Sequence, residues 1–213
     1  YPLRRQRQMC IRDSNNTIRI LEPNGHTHEI QYSNDDKSEI PWIGEPDIFF
    51  ECSGKNTVRE DCAEFLTSNT KLVMISATSW DADETLVYGF NHELFNKDFE
   101  IISYGSCTVN AYTPLAAYIN DKYGLIDSDV NVIHNIQQYR MSDNYTLNRK
   151  FCTLEKSAEH LLDCINANNF VVNYTVIPYT GVSMIDFRFR LENCPSKELF
   201  INDIEKSISE GNL

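Results

Sequence analysis

No run of apolar residues in this sequence approaches the roughly 20 needed for a membrane-crossing helix, and its first residues lack the apolar stretch of a secretory signal. Basic residues are scarce: 19 Lys and Arg stand against 31 Asp and Glu, for a net charge of -12. An acidic surface of this kind repels nucleic acid and anionic membranes, so neither is expected as a partner. No GxGxxG run follows a strand-like segment, and Ser53-Gly54-Lys55 reads by itself only as a turn. Cysteines at CxxC spacing are absent too. The seven that are present, at positions 10, 52, 62, 107, 152, 164 and 194, therefore suggest neither zinc nor a redox dithiol. Free thiols in a reducing cytoplasm are the simplest account. His26 and His28 are too few to hold a metal, and a solvated polar loop is the better reading, so no metal site is expected.

Hydrophobic residues make up 41% of the chain and charged residues 23%, ordinary values for a globular protein. The 213 residues suffice for one sizeable core or two modest domains. Asn15, Asn144 and Asn173 begin N-x-Thr sequons, which arise often by chance. Residues 1–14 stand apart. They carry Arg4, Arg5, Arg7 and Arg12 with one acid, and RRQRQMCIRDS resembles translated adapter sequence, so this segment is read as non-native.

Beyond Asn16, strand-like and helix-like segments alternate. Asp47 to Cys52 reads as a buried strand, Thr57 to Ser68 as a helix with Val58, Cys62, Phe65 and Leu66 on one face, and Lys71 to Ser76 as a second strand. Thr85 to Phe90 is a further strand candidate, and Phe99 to Tyr104 runs as a strand into Gly105-Ser106-Cys107. Strand, helix, strand in this order argues for α/β topology with parallel pairing. After Cys107, the steps Val109, Tyr112, Ala116, Ile119 and Tyr123 predict a helix, with Gly124 as its C-terminal cap and Pro114 inside it. Asp129 to Gln138 reads as a strand with Val130, Val132, His134 and Ile136 on one face. Val182 to Glu192 alternates strictly, which is typical of an antiparallel strand with one wet face. Helices are expected over Ser157 to Ala167 and Ser196 to Glu210.

Two residues could carry covalent chemistry. Cys107 follows a strand and opens a helix, so its thiol meets unpaired N–H groups and the positive end of the helix dipole, both of which favour thiolate. A lone cysteine is more often a small buried hydrophobe. His134, alone on an apolar strand face, is more often a satisfied core histidine. As a pair they supply a nucleophile and a proton acceptor, the minimum for attack on a carbonyl.

The motifs ECSG (Glu51 to Gly54), ISATSWDADETLVYGFNHE (Ile75 to Glu93) and IISYGSCTVN (Ile101 to Asn110) resemble the glyceraldehyde-3-phosphate dehydrogenase family. The similarity continues through Pro114 to Ala116, Asp121 to Gly124, and His134, which follows Cys107 at the family's separation of 27. VSMIDFRFRLE (Val182 to Glu192) and SEGNL (Ser209 to Leu213) resemble later family segments. The resemblance implies a Rossmann-type nucleotide-binding domain, partial here, over residues 15–105, followed by part of an α+β catalytic domain with an antiparallel-rich sheet over 106–213. It implies that Cys107 attacks an aldehyde, that His134 takes the proton, that hydride passes to NAD (or NADP), and that inorganic phosphate cleaves the thioacyl-enzyme. Ser106, Thr108 and Thr153 correspond to substrate- and phosphate-contacting positions, and Ser53, Gly54 and Ser76 to segments lining the cofactor. A cytoplasmic homo-oligomer acting on a small phosphorylated aldehyde in glycolysis or gluconeogenesis is implied.

The sequence also departs from the family. The glycine-rich turn and the C-terminal part are missing, so a piece truncated at both ends, inactive by itself, is expected. The loop between His134 and Thr153 is short, the phosphate-binding arginine aligns with Val176, and Gln137 replaces a threonine. Arg140, Arg149 or Lys150 could replace the lost charge or be solvated surface residues. Two alternatives stay open: a paralogue acting on another aldehyde such as erythrose 4-phosphate, and a degenerate, non-catalytic homologue.

Overall fold

The computed structural model describes the backbone of residues 9–12 and the whole of residues 16–136, 150–178 and 181–213. The chain divides into two compact units, Tyr1–Pro46 and Asp47–Leu213. In the first, strands β1 (Met9–Arg12), β2 (Thr17–Leu21) and β3 (Thr27–Gln31) form an antiparallel meander. The β2–β3 turn closes through Glu22, whose N–H donates to the His26 carbonyl at 2.8 Å. His28 lies within β3 rather than on a loop, and its ring bonds the Glu22 carboxylate at 3.0 Å.

The second unit carries a parallel sheet and a mixed sheet. Strands β4 (Ile48–Glu51), β5 (Leu72–Ile75), β6 (Glu84–Thr85) and β7 (Ile101–Ser103) pair in the order β4-β5-β7-β6, all parallel. The expected helix over 57–68 is only one turn and a half, α1 (Arg59–Ala63). Beyond it, Phe65 and Leu66 bond three residues back, to Cys62 and Ala63, which tightens the helix into turns that return the chain to β5. Cys62 and Phe65 are buried as anticipated, whereas Val58 is exposed. The strand expected over 85–90 stops at Thr85. Asn91 folds back on it, accepting from the Val87 N–H at 2.7 Å and donating to the Thr85 carbonyl at 2.9 Å, so a side chain replaces the ladder.

Helix α2 (Cys107–Tyr123) matches its sequence pattern: Val109, Tyr112, Ala116, Ile119 and Tyr123 are all buried. The helix continues through Pro114 and ends at Gly124, whose φ of 73° a residue with a Cβ rarely adopts. Strand β8 (Leu125–Ile136) is the centre of the second sheet, with β10 (Met184–Leu191) antiparallel on one side and β9 (Phe170–Pro178) parallel on the other. The parallel pair needs a crossover, which α3 (Thr153–Leu161) supplies. That helix begins four residues earlier than 157–167 predicts and ends sooner, because Asn169 closes a turn around Asn166 and Cys164.

On β10, Ile185, Phe187, Phe189 and Leu191 pack on the core, while Arg188 and Arg190 lie opposite Asp129 and Asp127 on the wet face. Tyr112 of α2 fastens helix to sheet, its ring 5.1 Å from Phe170 and 5.6 Å from Phe187. Helix α4 (Lys197–Glu210) starts at Ser196, whose hydroxyl accepts from the Leu199 N–H, and ends at Gly211. No helix among the described residues is long and apolar enough to cross a membrane.

Candidate active site around Cys107 and His134

The strand-to-helix turn after β7 fixes Cys107. Gly105 has a φ of 69°, and a Cβ there would stand 3.0 Å from the Val109 side chain, so only glycine makes this turn without strain. The buried Ser103 hydroxyl donates to the Ala77 carbonyl at 2.8 Å and accepts from the Gly105 N–H at 3.0 Å. Asn110 reaches back to the carbonyls of Tyr104 at 2.6 Å and Ser106 at 3.0 Å. Ser106 caps α2 by accepting from the Val109 N–H. Cys107 is therefore the first residue of a 17-residue helix, exposed, beside N–H groups that have no partner within the helix.

His134 comes from β8, on the same face as the buried Val130 and Val132. Its Nε2 lies 3.5 Å from Cys107 Sγ. Its Nδ1 lies 2.7 Å from the Asn135 carbonyl oxygen, which can only accept. Nδ1 therefore carries the hydrogen in the neutral ring, and Nε2 turns its lone pair to the thiol. Two residues 27 positions apart thus form the hydrogen-bonded contact that thiol activation requires.

Polar groups line one side of this pair. The Ser106 and Thr108 hydroxyls are 2.8 Å apart, and Thr108 Oγ1 lies 3.7 Å from Cys152 Sγ. Cys152 is buried, and burial pushes its thiol up from the ordinary range. It immediately precedes Thr153, the first residue of α3, so the beginnings of α2 and α3 meet here. Val176 stands directly opposite His134 in the β8–β9 ladder. Tyr174, two residues earlier on β9, brings its ring to 5.7 Å from the imidazole. Sequence reasoning missed Tyr174, Cys152 and Asn135. The first could have been found by reading the run NFVVNYTVIP as a strand with alternating faces.

Ser53 and Gly54 follow β4 and Ser76 follows β5, at the same carboxyl edge from which β7 leads to Cys107. None of the three hydrogen-bonds to Cys107 or His134. Ser53 instead donates, through both its N–H and its hydroxyl, to Glu51. The net effect on the buried Glu51 is a lowered pKa: burial raises it, but the bonds from Ser53 and Asn56 outweigh that. Lys150 is exposed, and its N–H donates to the Tyr174 carbonyl. Arg140, Arg149, Gln137 and most of the short loop lie outside the described residues, as do the sequons at Asn15 and Asn144.

No protein-family model matches the chain. Cytosolic glyceraldehyde-3-phosphate dehydrogenase of Pisum sativum is 27% identical over 221 residues, covering 97% of this chain and 63% of that protein. The cytosolic enzyme of Nicotiana tabacum is 30% identical over 193 residues, covering 82% of this chain and 57% of its own length. Glyceraldehyde-3-phosphate dehydrogenase of Yarrowia lipolytica is 39% identical over 102 residues, covering 47% and 30%. The chain thus spans no more than 63% of the length of these curated relatives. With a parallel sheet leading to the cysteine and a mixed sheet carrying the histidine, the chain belongs to the glyceraldehyde-3-phosphate dehydrogenase family.

Proposed function

We propose that the protein is a phosphorylating aldehyde dehydrogenase that oxidises glyceraldehyde 3-phosphate through a thioester at Cys107. The observation that carries this reading is the 3.5 Å contact between Cys107 Sγ and His134 Nε2. The sulfur attacks the aldehyde carbon, and Nε2, its tautomer fixed by the Asn135 carbonyl, takes the thiol proton. The resulting imidazolium faces the developing oxyanion and stabilises it. When bound, a nicotinamide ring supplies the hydride acceptor that allows the hemithioacetal at Cys107 to become a thioester. Inorganic phosphate then attacks the thioester carbon, and Cys107 leaves as thiolate. Ser106, Thr108 and Thr153 are proposed to hold the phosphate.

The cofactor is proposed to be NAD, held along the carboxyl edge of the parallel sheet by Ser53, Gly54 and Ser76. The edge suits such a ligand. Thr78 Oγ1 is buried there without a hydrogen-bond partner among the described residues, Ser76 is exposed, and among the described residues no atom beyond Gly54 and its two chain neighbours lies within 4 Å of the place a Gly54 Cβ would take. On this reading the nucleotide-binding part runs to Gly105, the catalytic part begins at Ser106, and residues 1–14 belong to neither. A cytoplasmic location fits the cytosolic names of the relatives, and the protein is proposed to work as a homo-oligomer in glycolysis or gluconeogenesis.

Val176 favours a second reading. An apolar side chain opposite His134 offers no bond to a substrate phosphate, which suits a degenerate, non-catalytic homologue; a paralogue acting on another phosphorylated aldehyde, such as erythrose 4-phosphate, is the alternative enzyme reading. The test is nicotinamide reduction by the longest reading frame containing these residues, with each sugar phosphate and with NAD or NADP. Cys107→Ser should abolish it, and His134→Ala should lower kcat by roughly 10²–10⁴-fold. Reduction that survives Cys107→Ser would sink the mechanism.

A further inference from the structure

A tyrosine that the reaction scheme does not use stands beside the imidazole that its reacting sulfur contacts. Tyr174 and Val176 share one face of β9, and β9 pairs in register with β8, so Tyr174 lies across from Val132 and Val176 across from His134. The phenol ring sits 5.7 Å from the imidazole, tilted by 47°, and is half-buried. That imidazole contacts Cys107, while Thr108, the next residue, contacts Cys152. The phenol oxygen has no hydrogen-bond partner among the described residues. Burial first, and then the neighbouring thiols of Cys152 and Cys107, push its pKa up to about 12. Its proton therefore stays on through the physiological range. A tyrosine kept protonated beside a nucleophile can do one thing that neither Val176 nor the packed aliphatic residues can. It can donate a hydrogen bond to an oxygen on the carbon that the sulfur attacks.

We propose that Tyr174 is a hydrogen-bond donor to the carbonyl oxygen of the group bound at Cys107, holding the negative charge that develops there when sulfur attacks. This rests on the reading of Cys107 as the nucleophile, but not on the identity of the aldehyde or on the cofactor. The step itself is simple. The sulfur–carbon bond forms, the carbonyl π pair moves to oxygen, and the phenol O–H donates to that oxygen without giving up its proton.

Acylation and alkylation of Cys107 separate this role from a merely structural one. 4-Nitrophenyl acetate acylates the thiol through an oxyanion, whereas iodoacetamide alkylates it by displacement with no oxyanion. Tyr174→Phe keeps the ring packed on His134 and removes only the donor. It should slow acylation of Cys107 about 10²- to 10³-fold, the range for losing one such donor, and leave the iodoacetamide rate within about two-fold. Equal acylation of both proteins overturns the role of Tyr174 and leaves the dehydrogenase reading standing. So does a parallel fall in both rates, which would mean that the ring only supports the thiol–imidazole pair. No acylation at Cys107 in the unsubstituted protein overturns both readings. Slowed acylation in a protein that reduces no nicotinamide with either sugar phosphate supports the donor and sinks the dehydrogenase reading alone.

Discussion

Cys107 differs from the other exposed cysteines in its neighbours. Cys52 and Cys194 are exposed as well, but no imidazole contact accompanies them. They are therefore internal controls for reactivity. Under limiting iodoacetamide at neutral pH, Cys107 should be alkylated at least ~10-fold faster than either, because His134 Nε2, 3.5 Å away, can take the thiol proton as the sulfur attacks. His134→Ala should slow Cys107 selectively, and Cys152 should stay unlabelled, its thiol buried and raised. Peptide mapping reads all sites at once, and equal labelling of Cys52, Cys107 and Cys194 would remove the case for a catalytic thiol. Gly105 makes a second prediction at this scale. Its φ of 69° and the 3.0 Å approach of Val109 mean that Gly105→Ala should cost about 1–2 kcal/mol in a denaturation experiment. It should also blunt the labelling of Cys107, whose helix start the turn positions. The cysteine, the histidine and the glycine were all visible in sequence. Tyr174 and Asn135 were not, because no local pattern says which polar residue on a neighbouring strand will face a thiol.

Between elements, the Asp83 carboxylate ties distant segments together. Asp83 accepts from the N–H groups of Glu100 at 2.7 Å and Ile101 at 2.8 Å and pairs with Arg59, linking the start of β7 to α1. Burial raises its pKa, but those N–H groups and the arginine outweigh it, and the net shift is downward. A carboxyl group depressed in the folded state stabilises above its unfolded pKa, roughly 3.9, and loses that contribution as pH falls through the lower folded value. Asp83→Asn should cost about 1.5–3 kcal/mol near neutral pH. The gap between the two proteins should hold from pH 7 to about 5 and close below roughly 3.9. A gap that does not change down to pH 2 would mean that the side chain acts by shape and not by charge. At this scale the sequence was readable where a surface pattern runs long. Helix α2 showed all of its buried apolar positions, though not the buried Thr108 and Thr113, and α4 showed its bounds at Ser196 and Glu210. It misled where long-range contacts cut an element short, as at α1, β6 and α3.

Across the whole molecule, protection should follow burial. The meander of β2 and β3 contains no buried side chain, whereas β8 and α2 supply Val130, Val132, Val109, Tyr112 and Ala116 to one apolar cluster. Amides of Thr17–Gln31 should exchange deuterium orders of magnitude sooner than those of β8 and α2, since only the latter require the core to open. Equal protection would mean that the first unit is held by more than its own ladder. The sequence alone determined the α/β order, the α2 pattern, the alternation of β10 and the cysteine motif, because each depends on neighbours a few residues apart. Tertiary structure decided the rest. It put β8 between a parallel and an antiparallel partner, set His134 3.5 Å from Cys107, and brought Tyr174 and Cys152 to the same place. Strand register and helix crossing fix those distances, and both are set by how distant apolar faces pack together, which no short stretch of residues encodes.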